Sequence, residues 1–267
     1  MWKNYNLRTG ANQYIPDLVT NSGDVRSICG EDMVRLATDF ASARGRPPTI
    51  LDVGCGPVSS LAYLVHERLA TVVGVDPLAE EYRELLARYE LSAPLRQVRG
   101  SGEYLDRISF DVEFDIVFCR NALDHHQVPA LAWLRMFEAL PVGGDLIQRH
   151  SIGEADKEGW KQLHQFNLSP DSDGHLLLED ADRATLALTR DLPLEVTLYQ
   201  HRPGGWMTTA YRKLEDAVPP AFVERVLERA EASLLARSRW TRELEHAVFE
   251  AAAEAGAVAA PLDLQLR

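Results

Sequence analysis

Apolar and polar positions change rhythm several times along the chain. Residues 1–48 are polar overall, yet Glu31–Arg44 carries Met33, Val34, Leu36, Ala37, Phe40 and Ala41 at helical spacing. Arg44-Gly45-Arg46-Pro47-Pro48 stops that helix. From Thr49, short apolar runs alternate with amphipathic stretches. Ile50–Val53, Val72–Val75, Leu95–Val98, Phe114–Phe118 and a run starting at Leu146 read as strands. Ser59–Leu69, Ala79–Tyr89 and Ala130–Leu140 read as helices. Such alternation predicts a parallel sheet with right-handed crossovers. Residues 151–191 break the pattern. They are rich in Asp, Glu and Gly and include Trp160, His164, Phe166 and Asn167, the texture of a lid or substrate loop. Within them Glu154 to Asn167 reads as helix then loop. Leu194–Tyr199 and Met207–Tyr211 form an antiparallel hairpin across His201-Arg202-Pro203-Gly204-Gly205. After Pro219-Pro220 helical spacing returns through Phe222, Val226, Leu234, Trp240, Leu244 and Val248. The expected organisation is a helical N-terminal cap (1–48), an α/β domain (49–213) with an insertion at about 151–191, and a C-terminal helical segment (214–267) on the domain or at a dimer interface.

Composition narrows the partners. The 267 residues hold 28 Lys+Arg against 40 Asp+Glu, a formal charge of -12. So negative a surface repels a polyphosphate backbone, so no nucleic-acid partner is expected. Cys29, Cys55 and Cys119 form no CxxC pair and fit a reducing, cytoplasmic setting. No apolar run approaches the roughly 18–20 residues that span a bilayer, so no membrane partner is expected.

The densest chemistry lies in Leu51-Asp52-Val53-Gly54-Cys55-Gly56-Pro57. A buried strand runs into two glycines, which let a ligand approach the backbone closely. Asp76-Pro77 ends the next strand, about 20 residues on, where a carboxylate accepts from both hydroxyls of a ribose. A nucleoside ligand follows. A dinucleotide site would want a third glycine, and Ser59 stands there. Asp52 is also unwelcome beside a pyrophosphate, but would suit a cationic amino-acid headgroup. An amino acid joined to a nucleoside is therefore favoured over a dinucleotide.

Leu51–Pro57 resembles motif I of the class I S-adenosylmethionine-dependent methyltransferases, and Asp76 their ribose-binding acid. Gly100-Ser101-Gly102-Glu103-Tyr104-Leu105 resembles their adenine-contacting stretch, with Ser101 in place of the usual Asp. Phe114-Asp115-Ile116-Val117 resembles the fourth-strand motif, Asn121-Ala122-Leu123-Asp124-His125 the loop after it, and Pro141-Val142-Gly143-Gly144-Asp145-Leu146 the turn before strand five, without its usual Lys. The resemblance implies an α/β, Rossmann-like fold: a seven-stranded, mostly parallel sheet, a last-strand antiparallel hairpin, and helices on both faces. It implies S-adenosyl-L-methionine as cofactor, held by Asp52, Gly54, Cys55, Gly56, Pro57, Asp76, Pro77, Gly102, Glu103, Asn121 and Ala122. The implied activity is methyl transfer to an oxygen or nitrogen of a small molecule, with natural-product or modified-sugar tailoring as the setting. An NAD(P)-dependent oxidoreductase and a non-catalytic nucleoside-binding module stand as alternatives. Either a monomer or a homodimer is expected.

Four histidines fall where acceptor chemistry would sit: His125 and His126 after strand four, His150 at the end of strand five, and His164 in the insertion. A neutral histidine near pH 7 suits removal of an acceptor proton. Their spacing follows no standard ligand motif, so no metal is expected. Cys55 reads as a packing residue. Trp2, Tyr5 and Tyr14 are candidates for a wall facing the lid.

Overall fold

The computed structural model describes residues 26, 28–88, 95–161, 163–201 and 205–230. Trp2, Tyr5, Tyr14, the hairpin tip at 202–204 and the C-terminal positions from 231 lie outside the described residues.

Helix α1 (Glu31–Arg44) has Glu31 and Asp32 in its first turn and Arg44 in its last, matching the helix dipole at both ends. Gly45, at φ 70, closes it and donates to the Ala41 carbonyl. Strand β1 (Thr49–Val53), helix α2 (Ala62–His66), strand β2 (Thr71–Asp76) and helix α3 (Ala79–Arg88) follow. Next come β3 (Arg96–Arg99), a 3-10 segment at Gly102–Arg107, β4 (Ile116–Arg120) and a short 3-10 turn at Leu123–His125. Helix α4 (Pro129–Glu138), β5 (Asp145–Ser151) and the one-turn α5 (Glu154–Lys157) lead to β6 (Phe166–Pro170), β7 (Leu176–Asp180) and β8 (Thr185–Ala187). The hairpin β9 (Leu194–His201) and β10 (Trp206–Lys213) and a helix over 220–230 end the described chain.

The main sheet has seven strands in the order β3-β2-β1-β4-β5-β10-β9. β1, β2, β3, β4 and β5 run parallel, and β10 is antiparallel to both β5 and β9. This is the expected fold class. Alternation along the central strands builds two cores. Leu51, Val53, Val117 and Cys119 face Trp133, Met136 and Phe137 of α4. Ile50, Ile116 and Phe118 face Met33 and Ala37 of α1 and Leu64 of α2. Arg149 on β5 locks α1 in place, pairing both guanidinium–carboxylate bonds with Asp32 at 2.6 and 2.7 Å and donating to the Cys29 carbonyl.

Two expectations change. The helix read over Ser59–Leu69 shortens to Ala62–His66, because the Ser59 hydroxyl accepts from the Leu61 amide and holds the preceding turn. The insertion is built around β strands instead of a loop. β6, β7 and β8 form a three-stranded antiparallel sheet whose Phe166, Leu168, Leu176, Leu178 and Leu186 join the α4-side core. Among the described residues, no helix is long and apolar enough to cross a membrane.

Candidate active site

The glycine loop lies at the carboxyl ends of β1 and β2. Gly54 and Cys55 both donate to the Val75 carbonyl, at 2.8 and 3.3 Å. Asp76 faces the loop. Its Oδ2 accepts from the Gly56 amide at 3.0 Å and its Oδ1 from the Leu78 amide at 2.9 Å, which leaves lone pairs on both oxygens. Gln97 on β3 donates to the Gly56 and Pro57 carbonyls at 2.9 and 3.3 Å, fixing the loop from the far side. Gly56 has φ +66, and a Cβ there would meet no heavy atom within 4 Å. Asp52, 2% exposed, accepts from the Ser59 hydroxyl at 2.5 Å. Burial pushes its carboxyl up to about 7; the Ser59 bond opposes this, Asp76 adds to it and Arg120 opposes it. Burial also raises Asp76, against the two amide bonds that favour its charge.

Cys55 is buried against Gly74, and burial drives its thiol well above the ordinary range, as expected of a packing residue. All three cysteines are buried and free.

The segment after β3 turns inward. Glu103 is 6% exposed, not a surface carboxylate. Its Oε1 accepts from the Gln127 and Val128 amides at 2.7 and 3.3 Å, and Ser101 donates to its Oε2. Burial alone would raise it, but the neighbouring His126 and these bonds hold it below the usual carboxylate range. His126 uses both ring nitrogens: Nδ1 lies 2.9 Å from the Ala122 carbonyl, and Nε2 accepts from the Gly102 amide at 3.2 Å. Glu103 and His126 thus join the 3-10 segment to the loop after β4.

That loop starts with Asn121 at φ 47, a left-handed conformation that Asn tolerates better than most residues. Its Oδ1 accepts from the Ser151 amide at 3.1 Å, and its Nδ2 donates to Glu154 at 3.3 Å. Ala122 then packs on the glycine loop; a Cβ at Gly54 would stand 2.3 Å from the Ala122 Cβ. Two residues on, Asp124 is fully buried with histidines on three sides. His164 Nδ1 is 2.9 Å from Oδ2, His125 Nε2 is 3.5 Å from the same oxygen, and His150 Nε2 is 3.6 Å from Oδ1. The His125 and His164 rings meet edge to face at 4.8 Å. Burial would raise Asp124, but the His164 bond and the neighbouring imidazoles bring it below its ordinary value. The bond to Asp124 raises His164, whereas burial lowers His125 and His150.

Of the four histidines, the structure brings His125, His150 and His164 together and places His126 apart, against Gly102. The residue at the centre, Asp124, is not among those singled out from sequence. Its signal was its position directly before two histidines at a central strand's carboxyl end.

A family profile described as "Methyltransferase domain" matches residues 51–148. A tRNA U34 carboxymethyltransferase of Edwardsiella ictaluri is 27% identical over 218 residues, covering 76% of this chain and 63% of that protein. One of the same name from Alteromonas mediterranea is 24% identical over 209 residues, covering 73% of this chain and 60% of that protein. The chain spans less than two thirds of the length of these curated relatives. Among solved structures, the N-methyltransferase NodS of Bradyrhizobium japonicum, in complex with S-adenosyl-L-homocysteine, is 12% identical, covers 80% of this chain and 97% of that one, and has a TM-score of 0.48. Residues 51–148 are thus similar to a methyltransferase domain, and the seven-strand order around them is the fold that the sequence resemblance implied.

Proposed function

We propose that this protein binds S-adenosyl-L-methionine over the carboxyl ends of β1, β2 and β4 and passes its methyl group to an oxygen or nitrogen of a small molecule, such as a natural-product or modified-sugar intermediate. One observation carries the cofactor reading: Gly56, with open space where a Cβ would stand, lies directly against the buried Asp76 carboxylate. Asp76 takes the ribose hydroxyls. The backbone of Gly54, Cys55, Gly56 and Pro57 lines the amino-acid portion, and Asp52 meets its ammonium group. Pro77 and Gly102 border the adenine, and Asn121 and Ala122 form the floor beneath the sulfur. Glu103 and His126 position the adenine side through the bonds they make to each other's loops. A nicotinamide dinucleotide suits the loop less well, because the Ser59–Asp52 pair occupies the place where a glycine would admit a pyrophosphate.

In the reaction the sulfur–methyl bond breaks and its electron pair stays on sulfur, leaving a neutral thioether. The acceptor's lone pair forms the new bond to carbon, and the acceptor's proton passes to a neutral imidazole beside Asp124. Alignment of acceptor, methyl and sulfur is the main contribution of the protein. The group around Asp124, with His125 and His164 on one oxygen and His150 on the other, is the acceptor-side machinery. A small acceptor agrees with the formal charge of -12, which disfavours a polyanion.

Calorimetry with S-adenosylhomocysteine and with NAD(H), followed by labelled methyl donor offered to small-metabolite pools and to tRNA, tests the reading. Homocysteine-nucleoside binding near ~10 μM and label in small molecules is the expected result. No heat at millimolar nucleoside sinks the cofactor assignment. Label in tRNA overturns the acceptor class alone.

A further inference from the structure

We infer that Asp124, His125 and His164 are the ligands of a divalent transition-metal ion. The three offer one donor atom each, all within 4.8 Å of one another. Their spacing is informative. His125 Nε2 stands 3.5 Å from Asp124 Oδ2, too long for a hydrogen bond. Donors about 2.0–2.2 Å from a tetrahedral ion stand roughly 3.3–3.5 Å from one another. The separation on the His125 side is that of two ligands of one ion; binding would break the 2.9 Å His164–Asp124 contact and draw the widest donor pair, up to 4.8 Å apart, together by about 1 Å.

His150 supplies an independent observation. It is completely buried, and among the described residues neither ring nitrogen has a hydrogen-bond partner. Leaving such a group unsatisfied costs about 1–3 kcal/mol, so native proteins rarely do it without a purpose. Its Nε2 faces Asp124 Oδ1 at 3.6 Å, and that oxygen is itself buried without a hydrogen bond among the described residues. A cation on the Oδ2 side would turn Asp124 into a fixed ligand, with His150 closing on Oδ1 to hold its orientation, as outer-shell partners do at metal sites.

The donor set names the class of ion. Two imidazoles with one carboxylate suit zinc, iron, cobalt or nickel; magnesium and calcium prefer oxygen. Sequence spacing conceals this site because His164 lies 40 positions from Asp124 and reaches it only through the fold of the insertion. The metal assignment stands on this geometry and does not depend on methyl transfer. Its use does rest on that reading: a remaining coordination position would take the acceptor's oxygen or nitrogen and make it easier to deprotonate.

The full-length chain is stripped with a chelator and titrated with Zn(II) by calorimetry and with Co(II) by visible absorption. One equivalent is expected to bind, with a ligand-field spectrum for cobalt and a zinc-dependent rise in Tm that chelator reverses. His125→Ala, His164→Ala and Asp124→Asn are each expected to weaken binding at least ~10-fold, while His66→Ala, on an exposed imidazole, leaves it unchanged. Circular dichroism identifies any variant that fails to fold, and the reversible Tm shift of the unmodified chain then decides. Absence of stoichiometric binding, or binding indifferent to the three ligand substitutions, overturns the assignment. S-adenosylhomocysteine titrated into the same samples separates the readings: lost nucleoside binding with retained metal removes the methyl-transfer proposal only, and the converse removes the metal only.

Discussion

Gly54 and Gly56 both have positive φ, at +74 and +66, but they meet different surroundings. A methyl group at Gly54 would collide with Ala122, whereas at Gly56 it would enter open space. Gly54→Ala should therefore lower stability by about 2–4 kcal/mol through overpacking and backbone strain together. Gly56→Ala should lose only the backbone part, about 1–2 kcal/mol, yet abolish S-adenosylhomocysteine binding because the side chain fills the ligand's path. Chemical denaturation and calorimetry on the pair check this; equal loss of stability in both would refute the distinction. Asp52 gives a pH dependence. It is protonated in the free protein below about 7, where burial, Asp76, Arg120 and the Ser59 hydroxyl balance. A bound ammonium group stabilises the carboxylate, so the complex holds fewer protons than the free protein, and affinity must rise as pH rises through that value. Between pH 6 and 7.5 the gain should approach ~10-fold, and Asp52→Asn should flatten it. Calorimetry in buffers of different ionisation enthalpy would detect the released proton. That the glycine turn and Asp76 would meet was legible because strand, glycines and Asp76 lie within one short stretch. Asp124 was not, because what distinguishes it is a partner brought from 40 positions away.

Elements with strong periodicity were read correctly, and those held by tertiary bonds were not. Helix α1 and strands β1, β2 and β4 announce themselves by spacing and by their terminators. The insertion's strands are short, and their acidic turns at Asp171-Ser172-Asp173-Gly174 and Asp180-Ala181-Asp182-Arg183 mask the apolar alternation between them. The ending of α4 is a further case. Lys213, on β10 and 4% exposed, reaches across to donate to the Leu140 and Phe137 carbonyls at 2.6 and 3.2 Å. A cation there satisfies orphan carbonyls and complements the helix dipole. Lys213→Met keeps most of the volume and takes the ammonium donor from the Leu140 carbonyl, while the Phe137 carbonyl keeps the Leu140 amide at 3.3 Å. It should cost about 2 kcal/mol, or roughly 5 °C in Tm, with S-adenosylhomocysteine affinity unchanged, since Lys213 lies on an element away from the glycine loop. A loss of affinity larger than the loss of stability would show that α4 communicates with the cofactor site.

On the scale of the whole molecule, the doubly covered sheet was predictable from the strand–helix rhythm, whereas the way the small sheet docks was not. Docking depends on a few cross-chain contacts that no local pattern encodes. Tyr211 on β10 is 1% exposed, donates to the Gly174 carbonyl at 2.8 Å and meets Trp133 edge to face at 5.6 Å. It therefore ties β10, α4 and the turn before β7 together. The same insertion delivers His164 to Asp124, so the placement of the small sheet bears directly on the acceptor-side cluster. Tyr211→Phe removes one hydroxyl and leaves the ring packing intact. The orphaned Gly174 carbonyl should cost about 1–1.5 kcal/mol. If β6, β7 and β8 open as a unit ahead of the main sheet, that cost falls on their local opening, and amides in Leu176–Asp180 should exchange with solvent up to ~10-fold faster while those in β1 and β4 keep their rates. Hydrogen–deuterium exchange resolved by peptide makes the comparison. Uniform acceleration across both sheets would mean that they unfold together, and the small sheet would then not be a separately opening unit.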